Sequence, residues 1–196
     1  MKRANKRQEL IQVGSEIIIR QGFNAASINE ILTTAGVPKG SFYYYFSSKE
    51  DFGLAIIEDF AHKYLQKLKN TLEDTQISPL TRLRNLFELK IADMESCQCT
   101  DGCLIGNLAQ ELSAQNELFR DRLNQVFVNW EECFRQCLQA AYEAGEIAED
   151  SQIDDLAKFI LSSWEGAILQ AKVTKSLLPM QTFVKILFEQ VFNKSN

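Results

Sequence analysis

The run Lys39-Gly40-Ser41-Phe42-Tyr43-Tyr44-Tyr45-Phe46-Ser47-Ser48-Lys49-Glu50 sets consecutive aromatic residues between a small, basic opening and a Ser-Ser-Lys-Glu close. Read as a short helix at 100° per residue, Phe42 and Phe46 share one face and can anchor it in a small core. Gly40, Ser41 and Tyr44 lie opposite, with Lys39, Tyr43 and Tyr45 on the flanks. Small residues at 40 and 41 let a backbone approach closely, and the hydroxyls and ammonium suit phosphate oxygens and base edges. Part of Tyr45 can pack inward, but three successive tyrosines cannot all do so. Lys49 falls in the first turn of a following helix, where the dipole prefers anions. A phosphate contact, assisted by that helix N-terminus, rationalises it.

Working outward, Ser27-Ile28-Asn29-Glu30 has capping-box spacing and opens a short helix whose apolar face is Ile28, Ile31, Leu32 and Ala35. Gly36-Val37-Pro38 then turns the chain into the aromatic helix, expected over about Lys39–Tyr45. Two short helices joined this way form a helix-turn-helix. Before them, Leu10, Val13, Gly14, Ile17 and Ile18 line one face of a helix over about Asn5–Gln21. Gly22 ends it, and Phe23 can fold back on Ile18. A second capping-box spacing, Ser47-Ser48-Lys49-Glu50, opens a long helix towards Asp74.

Further helices are expected from Pro79 to about Glu95, then over Cys103–Ser113, Glu117–Glu143, Gln152–Val173 and Leu178–Phe192. The polar stretch 96–102 reads as a loop. The fold class is therefore all-α: a three-helix head over residues 1–47 and a larger helical body over 48–196. Trp164, Ala167, Ile168, Val184, Leu187 and Phe188 lie on broad apolar faces of the last two helices, which suit a two-fold interface.

Composition supports a folded helical protein: 45% apolar and 24% charged residues, with three prolines in 196 residues. Charge is uneven. Residues 1–50 carry seven Lys/Arg against four Asp/Glu, net +3, so the other 146 carry −8. A basic head on an acidic body fits a protein that meets phosphate at one end. No apolar run approaches the roughly 18 residues of a membrane span, and the N-terminus is polar and basic, unlike a signal peptide. A cytoplasmic location with reduced thiols is expected.

No nucleophile–base pair, phosphate-binding glycine loop or HExxH pattern occurs, so an enzyme reading has no residues to assign. The lone histidine, His62, reads as a solvated side chain. Neither a cofactor nor a resident metal is expected. The five cysteines leave alternatives open. Cys97, Cys99 and Cys103 could ligate a soft metal, although the spacing is not a standard zinc pattern. Cys133 and Cys137 suit small hydrophobic packing. Cys103, at a helix start, is a candidate reactive thiol or an inert core residue. A helical protein-interaction module is the rival to a DNA-binding regulator.

Residues 9–55 resemble the N-terminal signature of TetR-family transcriptional repressors, through Gly22-Phe23, Ser27-Ile28, Ala35-Gly36-Val37 and above all Lys39–Glu50. The resemblance implies a homodimer whose two heads bind an inverted-repeat operator in double-stranded DNA, released when the body meets a small-molecule or electrophile effector. Matched by position, it places DNA contacts on Ser27, Asn29, Lys39, Ser41, Tyr43, Tyr44, Tyr45 and Lys49; many members carry histidine where this chain has Tyr45. In the body, Gly102-Cys103-Leu104 and Leu169-Gln170-Ala171-Lys172 are similar to the NemR-like, electrophile-responsive branch, which implies a sensor role for Cys103 and Lys172.

Overall fold

In the computed structural model, which describes residues 2–193 with side chains from Asn5 onward, every regular element among the described residues is helical. Helices α1 (Lys2–Gln21), α2 (Ile28–Thr34), α3 (Phe42–Tyr45), α4 (Lys49–Leu72) and α5 (Pro79–Ser96) come first. They are followed by α6 (Leu104–Leu112), α7 (Glu117–Glu143), α8 (Ile153–Thr174) and α9 (Leu178–Ile186). The chain forms two compact units, Met1–Lys63 with Cys103–Gln125 and Tyr64–Gly102 with Val126–Asn196.

In the first unit, Leu10, Ile11 and Ile18 of α1 are buried, as the helical spacing requires. Gly14 is there because nothing larger fits: a Cβ would stand 2.3 Å from Cζ of Phe52. Phe42, Phe46 and Phe52 form a ring cluster with centroids 4.8–5.5 Å apart, all fully buried. Ser27 caps α2, its Oγ accepting from the Glu30 amide at 3.1 Å. At the other end Gly36 (φ 61°) makes the left-handed turn, with Val37 N–H bonding Leu32 O and Gly36 N–H bonding Thr33 O.

Two expectations are corrected at this point. The aromatic segment is not one helix: residues Lys39–Ser41 form a 3₁₀ turn and only Phe42–Tyr45 are α-helical. Pro38, with φ −56° and ψ 138°, enters extended, and Ser41 N–H closes the tight turn on Pro38 O at 2.9 Å. The second capping box is shifted by one residue. Ser48 Oγ, not Ser47, accepts from the Asp51 amide, and the Asp51 carboxylate reaches back to Ser47 N–H and Oγ–H. Glu50 instead accepts from Asn116 Nδ2. Ser47 and Ser48 offer the same chemistry, so spacing alone cannot choose between them.

In the second unit, Ser78 and Pro79 open α5, and Leu83, Leu86, Phe87 and Met94 are buried. Phe87, Trp164 and Phe183 pack with centroids 4.6–5.3 Å apart, binding α5, α8 and α9 into one core. The helix expected to run to Phe192 changes at Leu187 into a π-turn, Leu187–Val191. The 97–102 loop is held by ammonium groups: Lys90 donates to Gly102 O, Lys172 to Asp101 O and Lys175 to Cys99 O. Gln98 and Cys99 take left-handed backbone angles there, so the carbonyl contacts hold a conformation that non-glycine residues seldom adopt.

Candidate nucleic-acid interface

With Phe42 and Phe46 anchored inside, the backbone of α3 forces its other side chains outward. Tyr43 is 72% exposed and Tyr44 58%, with Tyr45 half-buried. Side chains this large and this exposed leave apolar area in water unless something covers them. Lys39 and Gly40 are exposed on the 3₁₀ turn, and no atom lies within 4 Å of where a Cβ on Gly40 would stand. Another backbone can approach there. Ser27 and Asn29, at the start of α2, are also exposed, and Ser41 is half-buried. The eight positions named from the sequence belong to the same compact unit.

Lys49 is the exception to simple exposure. Its Nζ donates to Asn24 O at 3.2 Å and lies 4.9 Å from the Phe23 ring centroid. Burial pulls its pKa below the ordinary lysine value, with the nearby Glu111 carboxylate opposing. The lysine therefore ties α4 to the α1–α2 turn while keeping donors for an outside anion.

Glu111, a residue the sequence does not single out, stands beside the same turn. Its carboxylate accepts from Phe23 N–H and Asn24 N–H, each at 2.7 Å. No local signal could have found it, because the partners are nearly ninety residues away in the chain.

Cys103 is buried and caps α6, its Sγ accepting weakly from Gly106 N–H at 3.5 Å. A sulfur at the N-terminal end of a helix feels the positive end of the dipole. Lys172 is half-buried, and its pKa is lowered by burial first and by Lys175 second. Among the described residues, no group of three or more His, Cys, Asp or Glu is placed to hold a metal ion. The ammonium groups around 99–102 make that loop hostile to a cation. His62 is exposed.

Of the six apolar positions named on the last helices, Ala167 and Leu187 border an outward groove, while Trp164, Ile168 and Val184 are covered within the chain. Trp164, Ala167, Ile168, Val184 and Leu187 are buried, and Phe188 is half-buried, its ring 4.1 Å from the Arg84 guanidinium. What these helices turn outward is a groove of about 590 Å³ bordered by Phe159, Ser163, Gly166, Thr182 and Ile186. Phe159 is 48% exposed and Ile186 42%. Helical periodicity identified the apolar positions but could not say which of two apolar faces the chain uses for itself.

Comparison with known proteins identifies relatives of both parts of the chain. The family description "Bacterial regulatory proteins, tetR family" matches residues 10–56, and "Tetracyclin repressor-like, C-terminal domain" matches residues 79–187. The chain is 35% identical over 189 residues to the HTH-type transcriptional repressor DhaR of Mycobacterium sp., covering 96% of this chain and 93% of that protein. It is 38% identical over 178 residues to the transcriptional regulator AcuR of Cereibacter sphaeroides, covering 91% and 81%. The crystal structure of reduced NemR from E. coli superposes with a TM-score of 0.86 at 28% identity, covering 94% of this chain and 97% of that one.

Proposed function

The chain belongs to the TetR family of bacterial transcriptional regulators, and on that premise we propose that it is a homodimeric repressor that binds an inverted-repeat operator and leaves it when its body meets an effector. The observation that carries this reading is the outward display of Tyr43 and Tyr44 on a helix pinned by Phe42 and Phe46. Residues 1–47 read DNA and residues 48–196 regulate and dimerise. Base-edge contacts come from Lys39, Ser41, Tyr44 and Tyr45; phosphate contacts come from Ser27, Asn29, Tyr43 and Lys49. The protein acts by binding, without turnover, in the cytoplasm; no helix among the described residues is long and apolar enough to cross a membrane.

A second copy covers the α8–α9 groove. Gly166 and Ser163 permit close approach, while Phe159 and Ile186 supply apolar contact. Two heads then read two half-sites together only when their spacing matches about one DNA turn, roughly 34–36 Å, or a multiple of it. An effector works by binding better to the state in which that spacing is wrong, with a coupling on the order of 1–3 kcal/mol.

Cys103 is the proposed sensor, supported by its place at the start of α6, with Lys172 assisting. A protein-interaction module with an idle head is the weaker reading, since it leaves the two exposed tyrosines without a role. The test is a gel-shift titration on the DNA upstream of the chain's own gene. A shift released by a mild electrophile in wild type, and retained in Cys103→Ser, supports both halves of the proposal. Release unaffected by Cys103→Ser replaces the thiol with a reversibly bound ligand.

A further inference from the structure

We infer that Glu111 is a positioning residue for operator recognition: its carboxylate clamps the α1–α2 turn in the conformation that presents Ser27 and Lys49 to DNA. The inference rests on the assignment of those two residues to the DNA face.

The turn has little of its own to hold it. Gly22 (φ 86°) closes α1 through its N–H to Ile18 O, and Ala26 N–H bonds Gly22 O at a long 3.3 Å. Between them, the amides of Phe23 and Asn24 find their acceptor outside the turn. Glu111 takes both, at 2.7 Å each, through charge-assisted bonds of the stronger kind. The fit is close, for a Cβ at Gly22 would stand 2.9 Å from Glu111 Oε2. The other side of the same peptide segment is used too, since Asn24 O receives Lys49 Nζ. One turn thus joins a carboxylate from α6, an ammonium from α4 and the cap of α2.

The frame behind Glu111 is firm. Phe23 sits edge-on to Phe119 with centroids 5.1 Å apart, and a Cβ at Gly53 would meet both rings within 3.0 Å. Asn107 Nδ2 donates to Ile19 O from the preceding turn of α6. Displacing the carboxylate frees the turn on one side only, so Ser27 and Lys49 lose their register to each other while the ring packing persists.

Charge gives the test its sign. A carboxylate beside a DNA-reading surface weakens DNA binding by simple repulsion, so its removal alone strengthens binding to every sequence. A positioning role has the opposite consequence for the operator. Gln offers one acceptor in place of two and turns its NH₂ towards an N–H donor.

The experiment measures full-length wild type, Glu111→Gln and Glu111→Asp on the operator duplex and on a scrambled duplex of equal length, with helicity and dimer mass as controls. Glu111→Gln is expected to lose about ten-fold or more in operator affinity, and scrambled-duplex affinity falls in the same direction because the displaced contacts are to phosphate, whereas simple repulsion predicts that both rise. Glu111→Asp keeps the charge but is one methylene short of bridging both amides, and a comparable loss is expected. If the Gln variant does not fold, the Asp variant decides. Operator affinity equal to or tighter than wild type in a folded variant overturns the inference. Ser27→Ala and Lys49→Ala run alongside: undiminished operator binding in both removes the DNA-face assignment and leaves the Glu111 effect separately readable.

Discussion

The ring of Phe42 stands edge-on to that of Phe52, centroids 5.5 Å apart at an interplanar angle of 74°. This contact joins the four-residue helix α3 to the long helix α4, and it decides which way α3 faces. With Phe42 held inside, Tyr43 and Tyr44 have nowhere to go but out.

From this orientation, Lys49→Ala should weaken binding to all DNA sequences alike and reduce the salt slope of log K by about one unit, because one phosphate contact is lost. Tyr43→Phe should act in the same general way. Tyr44→Ala or Lys39→Ala should instead change which bases are preferred at one half-site position. Titrations of operator and mismatched duplexes at several salt concentrations separate the two patterns. Unchanged operator affinity in a folded Tyr43→Phe/Lys49→Ala double variant removes the assignment.

Gly14→Ala tests the packing beneath the recognition helix. The added methyl group meets Phe52 Cζ at 2.3 Å and Ile56 Cδ1 at 3.1 Å. Overpacking of this kind costs about 1–3 kcal/mol. Since Phe52 also supports Phe42 and Phe46, operator affinity should fall together with the unfolding midpoint. A variant as stable as wild type would mean that Phe52 can swing aside.

Much of this was legible in the sequence because local rules agreed with the fold. Ser27 caps, Gly22 and Gly36 turn left-handed, and the aromatic pair Phe42/Phe46 faces inward, each for a reason contained within a few residues. What escaped is non-local. Glu111 finds the α1–α2 turn only in three dimensions. Hydrophobic periodicity reports that Trp164 is buried without naming what does the burying; here Phe87 and Phe183 pack on it within the chain. The π-turn at Leu187–Val191 likewise has no marker in the sequence such as proline or glycine.

That distinction separates two classes of variant on α8 and α9. Phe159→Glu or Ile186→Asp, on the outward groove, should give folded monomers with far weaker operator binding. Trp164→Asp, buried against Phe87 and Phe183, should lower the unfolding midpoint first, because an unpaired charge in the core is costly. Sedimentation with circular dichroism tells them apart. A folded, dimeric Phe159→Glu variant would place the two-fold interface elsewhere.

The α7 thiols give a pH prediction. Burial raises the pKa of Cys137 from 9.0 to about 11, and burial raises Cys133 as well. The folded protein therefore holds these protons more tightly than the unfolded chain. For Cys137 the stabilisation is complete below about pH 9 and is lost as the pH rises through about 11. For Cys137 the loss is on the order of 2–3 kcal/mol. Denaturant titrations from pH 8 to 11 should show a steeper decline in wild type than in Cys137→Ala. Parallel declines would mean that the thiol ionises as freely folded as unfolded. Neutral at ordinary pH, both thiols should also be alkylated more slowly than Cys103.

The most direct measurement is selection of bound fragments from random DNA by the purified dimer, followed by sequencing. Two identical heads, each presenting the Lys39–Tyr45 segment, should enrich an inverted repeat whose half-sites lie about one helical turn, or a multiple of it, apart. The same selection with a Tyr44→Ala variant should blur matching positions in both half-sites. An enriched site with no two-fold symmetry, or no enrichment above input, would contradict operator recognition by a symmetric pair of heads.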